Sequence, residues 1–135
     1  INELAEEFKD KDFPISVEIN PHFTKAEDMI DQAKELSEIA ENFVIKVPCN
    51  EQGLIAAKKL EEQHVRTNVT LVFTASQALQ VGRIGAKFVS PFVGWQESTG
   101  VDCSEFMSNI LRTINNFGFE TEVIAAAIRI GVPQS

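Results

Sequence analysis

A chain of 135 residues, 44% hydrophobic and 24% charged, is long enough for one domain with a real core, and nothing in its make-up calls for disorder. A formal net charge of -8, with no cluster of lysines and arginines interleaved with aromatics, repels phosphate backbones and argues against nucleic acid as a partner. No apolar run approaches a membrane span and no basic leader precedes an apolar segment, so the expected setting is the cytoplasm, with no membrane partner.

In chain order, a helical piece at Asn2 to Asp10 leads into a first strand, Ile15 to Ile19, whose apolar residues share one face and leave Ser16 and Glu18 on the other. A helix over Ala26 to Ala40 follows, with Thr24 and Glu27 spaced as a capping box. Its apolar stripe runs through Met29, Ile30, Ala33, Leu36, Ile39 and Ala40. The second strand, Phe43 to Val47, is apolar except for Lys46, and Asn50 is placed to cap a helix over Gln52 to Gln63. In the third strand, Thr67 to Phe73, strict alternation puts Val69, Leu71 and Phe73 on one face and Asn68 and Thr70 on the other. A helix over Ala75 to Arg83 precedes a fourth strand, Lys87 to Val93, in which Ser90 and Phe92 point away from Val89 and Val93. A last helix over Ser104 to Phe117 ends at Gly118, a C-cap position, before a fifth strand at Glu122 to Ile128.

This alternation is the pattern of βα units around a parallel sheet, and no linker or charge block divides residues 1–135 into more than one domain. Each strand carries polar groups on one face near its C-terminal end. A barrel wall explains that, with helices on the apolar outer face and functional groups collected at the mouth. A doubly wound sheet would want both faces apolar and a glycine-rich first turn, although periodicity alone does not exclude it.

Cys49 and Cys103 have no metal-ligand spacing and are too few for a disulfide framework. His22 and His64 each fall in a loop without a second ligand nearby. Reduced thiols, no metal and no cofactor are the expectation.

Lys46 is the residue that asks for a chemical reason. On a strand edge it would snorkel its charge to solvent. In the middle of a buried parallel strand, desolvation disfavours an ammonium ion and makes the free amine available to attack a carbonyl and form a Schiff base.

The segments Val44-Ile45-Lys46-Val47-Pro48, Gly53-Leu54, Asn68-Val69-Thr70-Leu71-Val72-Phe73, Gln77-Ala78 and Ala86-Lys87-Phe88-Val89-Ser90-Pro91-Phe92-Val93-Gly94 resemble the transaldolase family in content, order and gaps. The similarity continues through Gly118-Phe119-Glu120-Thr121-Glu122-Val123 and Ala125-Ala126-Ala127-Ile128-Arg129, so it covers almost the whole chain. The resemblance implies a class I aldolase-type (β/α)8 barrel that moves a dihydroxyacetone unit between sugar phosphates through a covalent imine. Lys46 matches the family's Schiff-base lysine. Glu18 and Thr70 match the pair that holds a catalytic water and relays protons, and Asn68 matches an amide that orients the bound sugar. Ser90 and Phe92 match pocket residues next to the imine. Glu18 and Phe92 are transaldolase-like, since the related fructose-6-phosphate aldolases carry glutamine and tyrosine there. From the residues alone, Thr70 also reads as an ordinary β-former and Asn68 as a partner for a loop carbonyl. An inward Glu18 needs a partner, which Lys46 on the next strand would supply.

Aligned by these motifs, the chain corresponds to strands three to seven of the barrel, a partial TIM-type barrel of five strands. The strands outside it carry the family's general acid/base aspartate and a substrate-binding asparagine, and the lack of an initial methionine suggests a fragment of a longer protein. At the phosphate end, Trp95 stands where the family has arginine and Ala127 where it has serine, while Arg129 remains to pair with an anion. Trp95 reads either as a stacking platform for an unphosphorylated substrate or as a surface aromatic packed on its loop. The two lost contacts are typically worth about 1.5–3 and 0.5–1.5 kcal/mol, enough to weaken phosphate binding by about a hundredfold or more.

Five βα strands cannot close a barrel, so pairing with the missing segment or with another copy is expected. Three functions compete: a transaldolase acting on sugar phosphates, an aldolase or transferase for a non-phosphorylated ketone such as dihydroxyacetone, and a catalytically silent binding or assembly module.

Overall fold

The computed structural model describes residues 14–93 and 103–125. Within them, β1 (Ile15–Glu18), α1 (Ala26–Ser37), β2 (Phe43–Pro48), α2 (Glu51–Glu62), β3 (Thr67–Val72), α3 (Ala75–Ile84), β4 (Phe88–Pro91), α4 (Cys103–Asn116) and β5 (Glu122–Val123) alternate as the sequence predicts. The helix expected at Asn2 to Asp10 lies outside the described residues.

All five strands are parallel, and each is hydrogen-bonded to the next in chain order, β1-β2-β3-β4-β5. That order never reverses, so the sheet winds one way, as a barrel wall does and a doubly wound sheet does not. Its outward residues Ile45, Val47, Val69, Val72 and Val89 form one core with Met29 and Ala33 of α1, Ala56, Ala57 and Leu60 of α2, Ala78 and Val81 of α3, and Ile110 of α4. The valine, leucine, isoleucine and methionine side chains among these each contribute roughly 1.5–3 kcal/mol when fully buried, and this shared core holds the helices to one face of the sheet.

The caps follow the sequence in part. Asn50 accepts a hydrogen bond from the Gly53 amide at 2.8 Å and opens α2. Gly118 follows α4 in the left-handed region, with φ of 66°. The capping box expected at Thr24 and Glu27 is not formed: Lys25 is the N-cap of α1 and its side chain caps nothing. Instead the Ala26 amide donates to Gln52 Oε1 of α2 at 2.9 Å, so a neighbouring helix satisfies the free donor. Thr74 and Gln77 supply a reciprocal capping box at α3. The α1 stripe also stops short, since the helix ends at Ser37 and Ile39 is 44% exposed.

Polar bonds brace the N-terminal ends of the strands. Glu61, on the last turn of α2, accepts from the Thr67 amide at 2.7 Å, the Thr67 hydroxyl at 2.7 Å and the Lys87 amide at 2.9 Å. The Thr121 hydroxyl donates to the Ala86 carbonyl at 2.7 Å, tying the approach to β5 onto β4.

Candidate active site

β2 lies between β1 and β3, so Lys46 is not on a sheet edge. Register sets Glu18 beside Lys46 and Lys46 beside Asn68, with Pro48, Thr70 and Ser90 forming the next row toward the C-terminal ends. Parallel pairing converts residues spread from 18 to 90 in sequence into adjacent positions on one face. Gly53 helps fix β2 there. A Cβ at that position would overlap the Pro48 carbonyl oxygen, so only glycine lets the first turn of α2 close onto the strand that carries Lys46.

Lys46, Glu18 and Thr70 line one cavity of about 230 Å³, together with Asn20, Pro48 and Leu71. Lys46 is half-buried, Thr70 is buried and Glu18 is exposed. The expected ion pair between Glu18 and Lys46 is not formed among the described residues. Glu18 is exposed, and a solvated carboxylate needs no partner. An amine, a carboxylate and a hydroxyl on one cavity can form a carbinolamine and exchange its protons.

Asn68 does not serve a loop carbonyl. Its Oδ1 accepts from the Ser90 hydroxyl at 2.7 Å, and its Nδ2 donates to Ser16 Oγ at 3.3 Å, a chain that crosses from β4 through β3 to β1. Both Asn68 and Ser90 are buried, so the amide is held with a fixed orientation. Ser16 is thus a participant that the sequence reading left unassigned, although it shares the polar face of β1 with Glu18.

Phe92 stands at the end of β4 and packs edge-on against Phe73, with ring centroids 5.6 Å apart. It does not line the cavity around Lys46. Arg129, Trp95 and Ala127 lie outside the described residues.

The alternation expected in β3 breaks at a register shift between Thr70 and Val72. Val72 takes the buried outer position, and Leu71, with φ of 61°, turns out to the cavity and is 45% exposed. Burial pushes the Cys49 thiol above its usual range, and the Cys49 amide donates to the Thr70 carbonyl at 2.9 Å. Among the described residues no group of three histidine, cysteine, aspartate or glutamate side chains is arranged to hold a metal.

Residues 1–130 match the family model of transaldolase/fructose-6-phosphate aldolase. The chain belongs to the transaldolase/fructose-6-phosphate aldolase family. It is 54% identical over 132 residues to a 6-deoxy-6-sulfo-D-fructose transaldolase of Priestia aryabhattai, covering 97% of this chain and 58% of that protein. The same figures hold for a protein of that name from Priestia megaterium. A probable transaldolase of Leptospira biflexa is 47% identical over 116 residues, 86% of this chain and 53% of that protein. The chain therefore spans a little over half the length of these transaldolase relatives. For a transaldolase-family barrel, the five parallel strands are part of the wall, and the cavity at their C-terminal ends is where this architecture puts its chemistry.

Proposed function

We propose that the protein is a transaldolase-type transferase that carries a dihydroxyacetone unit between sugar phosphates through a Schiff base on Lys46, the chemistry of the pentose phosphate pathway in the cytoplasm. The observation that supports it is the meeting of Lys46, Glu18 and Thr70 on a single cavity at the C-terminal ends of three neighbouring strands. Nζ of Lys46, as the free amine, adds to the ketone carbon and gives a carbinolamine. Glu18 and Thr70, through a shared water, move the proton that lets its hydroxyl leave as water, and the imine remains. The family resemblance gives Asn68 and Ser90 the hydroxyls of the bound unit and Phe92 a pocket position next to the imine, although none of the three lines the cavity at Lys46, and it gives Arg129 the anionic end. The family resemblance places the general acid/base for carbon–carbon cleavage on a barrel strand other than these five.

A second reading concerns the donor. The relatives at 54% identity are named for a sulfonated ketose, and Trp95 and Ala127 stand where the family has a phosphate-binding arginine and serine. A sulfonate carries one charge where a phosphate monoester carries about 1.5–2 at neutral pH. A site with one fewer guanidinium suits the monoanion over the dianion, and the retained Arg129 together with the relatives' name favours a sulfosugar donor over a non-phosphorylated ketone.

The test is borohydride reduction of the full chain with fructose 6-phosphate, 6-deoxy-6-sulfofructose or free dihydroxyacetone, followed by peptide mapping with Lys46→Ala as control. A three-carbon adduct on Lys46 is expected. An adduct formed faster with the sulfosugar than with the phosphosugar selects the second reading, and one formed only with free dihydroxyacetone means that donor cleavage is lost. No adduct with any of the three leaves a silent binding or assembly module.

A further inference from the structure

We infer that Leu71 is a water shield over the Lys46 cavity, a side chain that decides whether the three-carbon imine is passed to an acceptor aldehyde or lost to hydrolysis. The inference rests on the Schiff-base reading above. It starts from the backbone. Between Thr70 and Val72 the register of β3 on β4 slips by one residue, and the extra residue is Leu71, with φ of 61°. Glycine adopts that conformation without strain, whereas a leucine there crowds its own Cβ against the following carbonyl. The bend alone would be better served by glycine, so the side chain must account for the residue's identity.

Where that side chain lies gives its use. Leu71 is 45% exposed and lines the cavity shared by Lys46, Glu18 and Thr70. The exposed Ile55 of α2 and Leu111 of α4 do not line it. At about 230 Å³ the cavity has room for several water molecules, so its size does not keep water from an imine. An apolar side chain in the lining does.

Two reactions consume the same covalent intermediate. In transfer, the enamine carbon attacks the acceptor's carbonyl carbon, a new carbon–carbon bond forms, the acceptor oxygen takes a proton, and the ordered water served by Glu18 and Thr70 hydrolyses the resulting imine, so the new ketose leaves and Lys46 returns as the amine. In hydrolysis, the enamine carbon first takes a proton to give the three-carbon imine, a water oxygen adds to the imine carbon, the protons of that water pass to nitrogen, the carbon–nitrogen bond breaks, and free dihydroxyacetone leaves Lys46 as the amine. Glu18 and Thr70 serve the ordered water of imine formation. Leu71 excludes the rest.

The experiment uses the full chain with erythrose 4-phosphate as acceptor and, as donor, fructose 6-phosphate or 6-deoxy-6-sulfofructose, whichever leaves the three-carbon adduct on Lys46. The ratio of free dihydroxyacetone to new ketose is measured for Leu71→Asn, Leu71→Gly and Leu71→Met. Asparagine and glycine both tolerate the left-handed backbone, so these variants keep the bend and remove the apolar cover. They are expected to raise the ratio by about fivefold or more, and methionine, which restores the apolar cover, to return it to within about twofold of the native value. An unchanged ratio in Leu71→Asn and Leu71→Gly, with the adduct still on Lys46, overturns the shield alone. An adduct formed with free dihydroxyacetone but with neither donor overturns the shield's role in transfer and keeps the Schiff base, and a native protein that forms no adduct with any of the three overturns both.

Discussion

At the N-terminal ends of β3 and β4, Glu61 gathers three donors at 2.7–2.9 Å, while at the C-terminal ends Lys46, Glu18 and Thr70 share a cavity without a side-chain hydrogen bond or ion pair among the described residues. The same strands run through both regions, with pairing that is regular at the lower end and slips by one residue between Thr70 and Val72 at the upper. What differs is whether polar groups are spent on one another. A carboxylate with three donors is stabilised and chemically idle; an amine, a carboxylate and a hydroxyl left uncommitted around a cavity are available to a substrate. Barrel architecture separates stability from chemistry in just this way, end from end.

The separation is tested most sharply by Lys46→Ala. If Lys46 carries the Schiff base as proposed, transfer activity falls by more than about a thousandfold, because no other described group would replace it. The urea midpoint should correspond to a change within about 1 kcal/mol, since the half-buried lysine makes no polar bond that truncation would orphan. Large loss of stability with retained activity would reverse the assignment of the two ends. The counterpart is Glu61→Ala, which strips the partner from two amides and a hydroxyl and is expected to cost about 3 kcal/mol in urea unfolding. Its kcat per folded molecule should stay within about twofold of native. A selective loss of kcat would mean that the brace reaches the site.

Thr70→Val sharpens the comparison within the upper end. The substitution keeps shape and strand preference and removes only the hydroxyl, so stability should move by less than about 1 kcal/mol. If Thr70 moves protons during imine formation, kcat falls by about tenfold to a hundredfold, with the adduct on Lys46 forming more slowly under borohydride. Unchanged trapping would leave Thr70 as a β-former and nothing more.

How much of this could be read from the sequence depends on what each feature needs from the rest of the fold. The five strands, the polar inner face and the row of Glu18, Lys46 and Asn68 follow from period-two patterning, and parallel pairing preserves that pattern. Asn50 was legible as a cap because its partner is three residues away. The Thr24 cap was misread because the competing acceptor, Gln52, belongs to another helix and no local rule sees it. The slip at Leu71 was invisible for a similar reason. Leucine carries no signal for a left-handed backbone, whereas a glycine there would have announced a bulge. Ser16 was placed on the correct face, yet its link to Asn68 spans 52 residues of sequence and needs β1, β2 and β3 curved into a wall.

Cys49 offers the smallest effect and a way to test how open the upper end is. It follows Pro48 at the rim, is packed partly against the core, and is pushed by burial above the ordinary thiol value of 9.0. A raised thiol pKa means less thiolate at neutral pH, so alkylation by iodoacetamide in a Cys103→Ser background should be slower than for a free thiol. The rate should keep rising with pH above 9.0, where a free thiol has begun to level off. The linkage has a definite sign. Between the unfolded value and the raised folded one, the native state binds more protons, so the contribution to stability is complete below about 9.0 and is lost as pH rises through that window. Alkylation at the rate of a free thiol would show that the packing behind Pro48 opens readily. The wall behind Lys46 would then lack the rigidity that a positioned nucleophile requires, and the contrast between a braced lower end and a functional upper end would become one between a rigid end and a loose one.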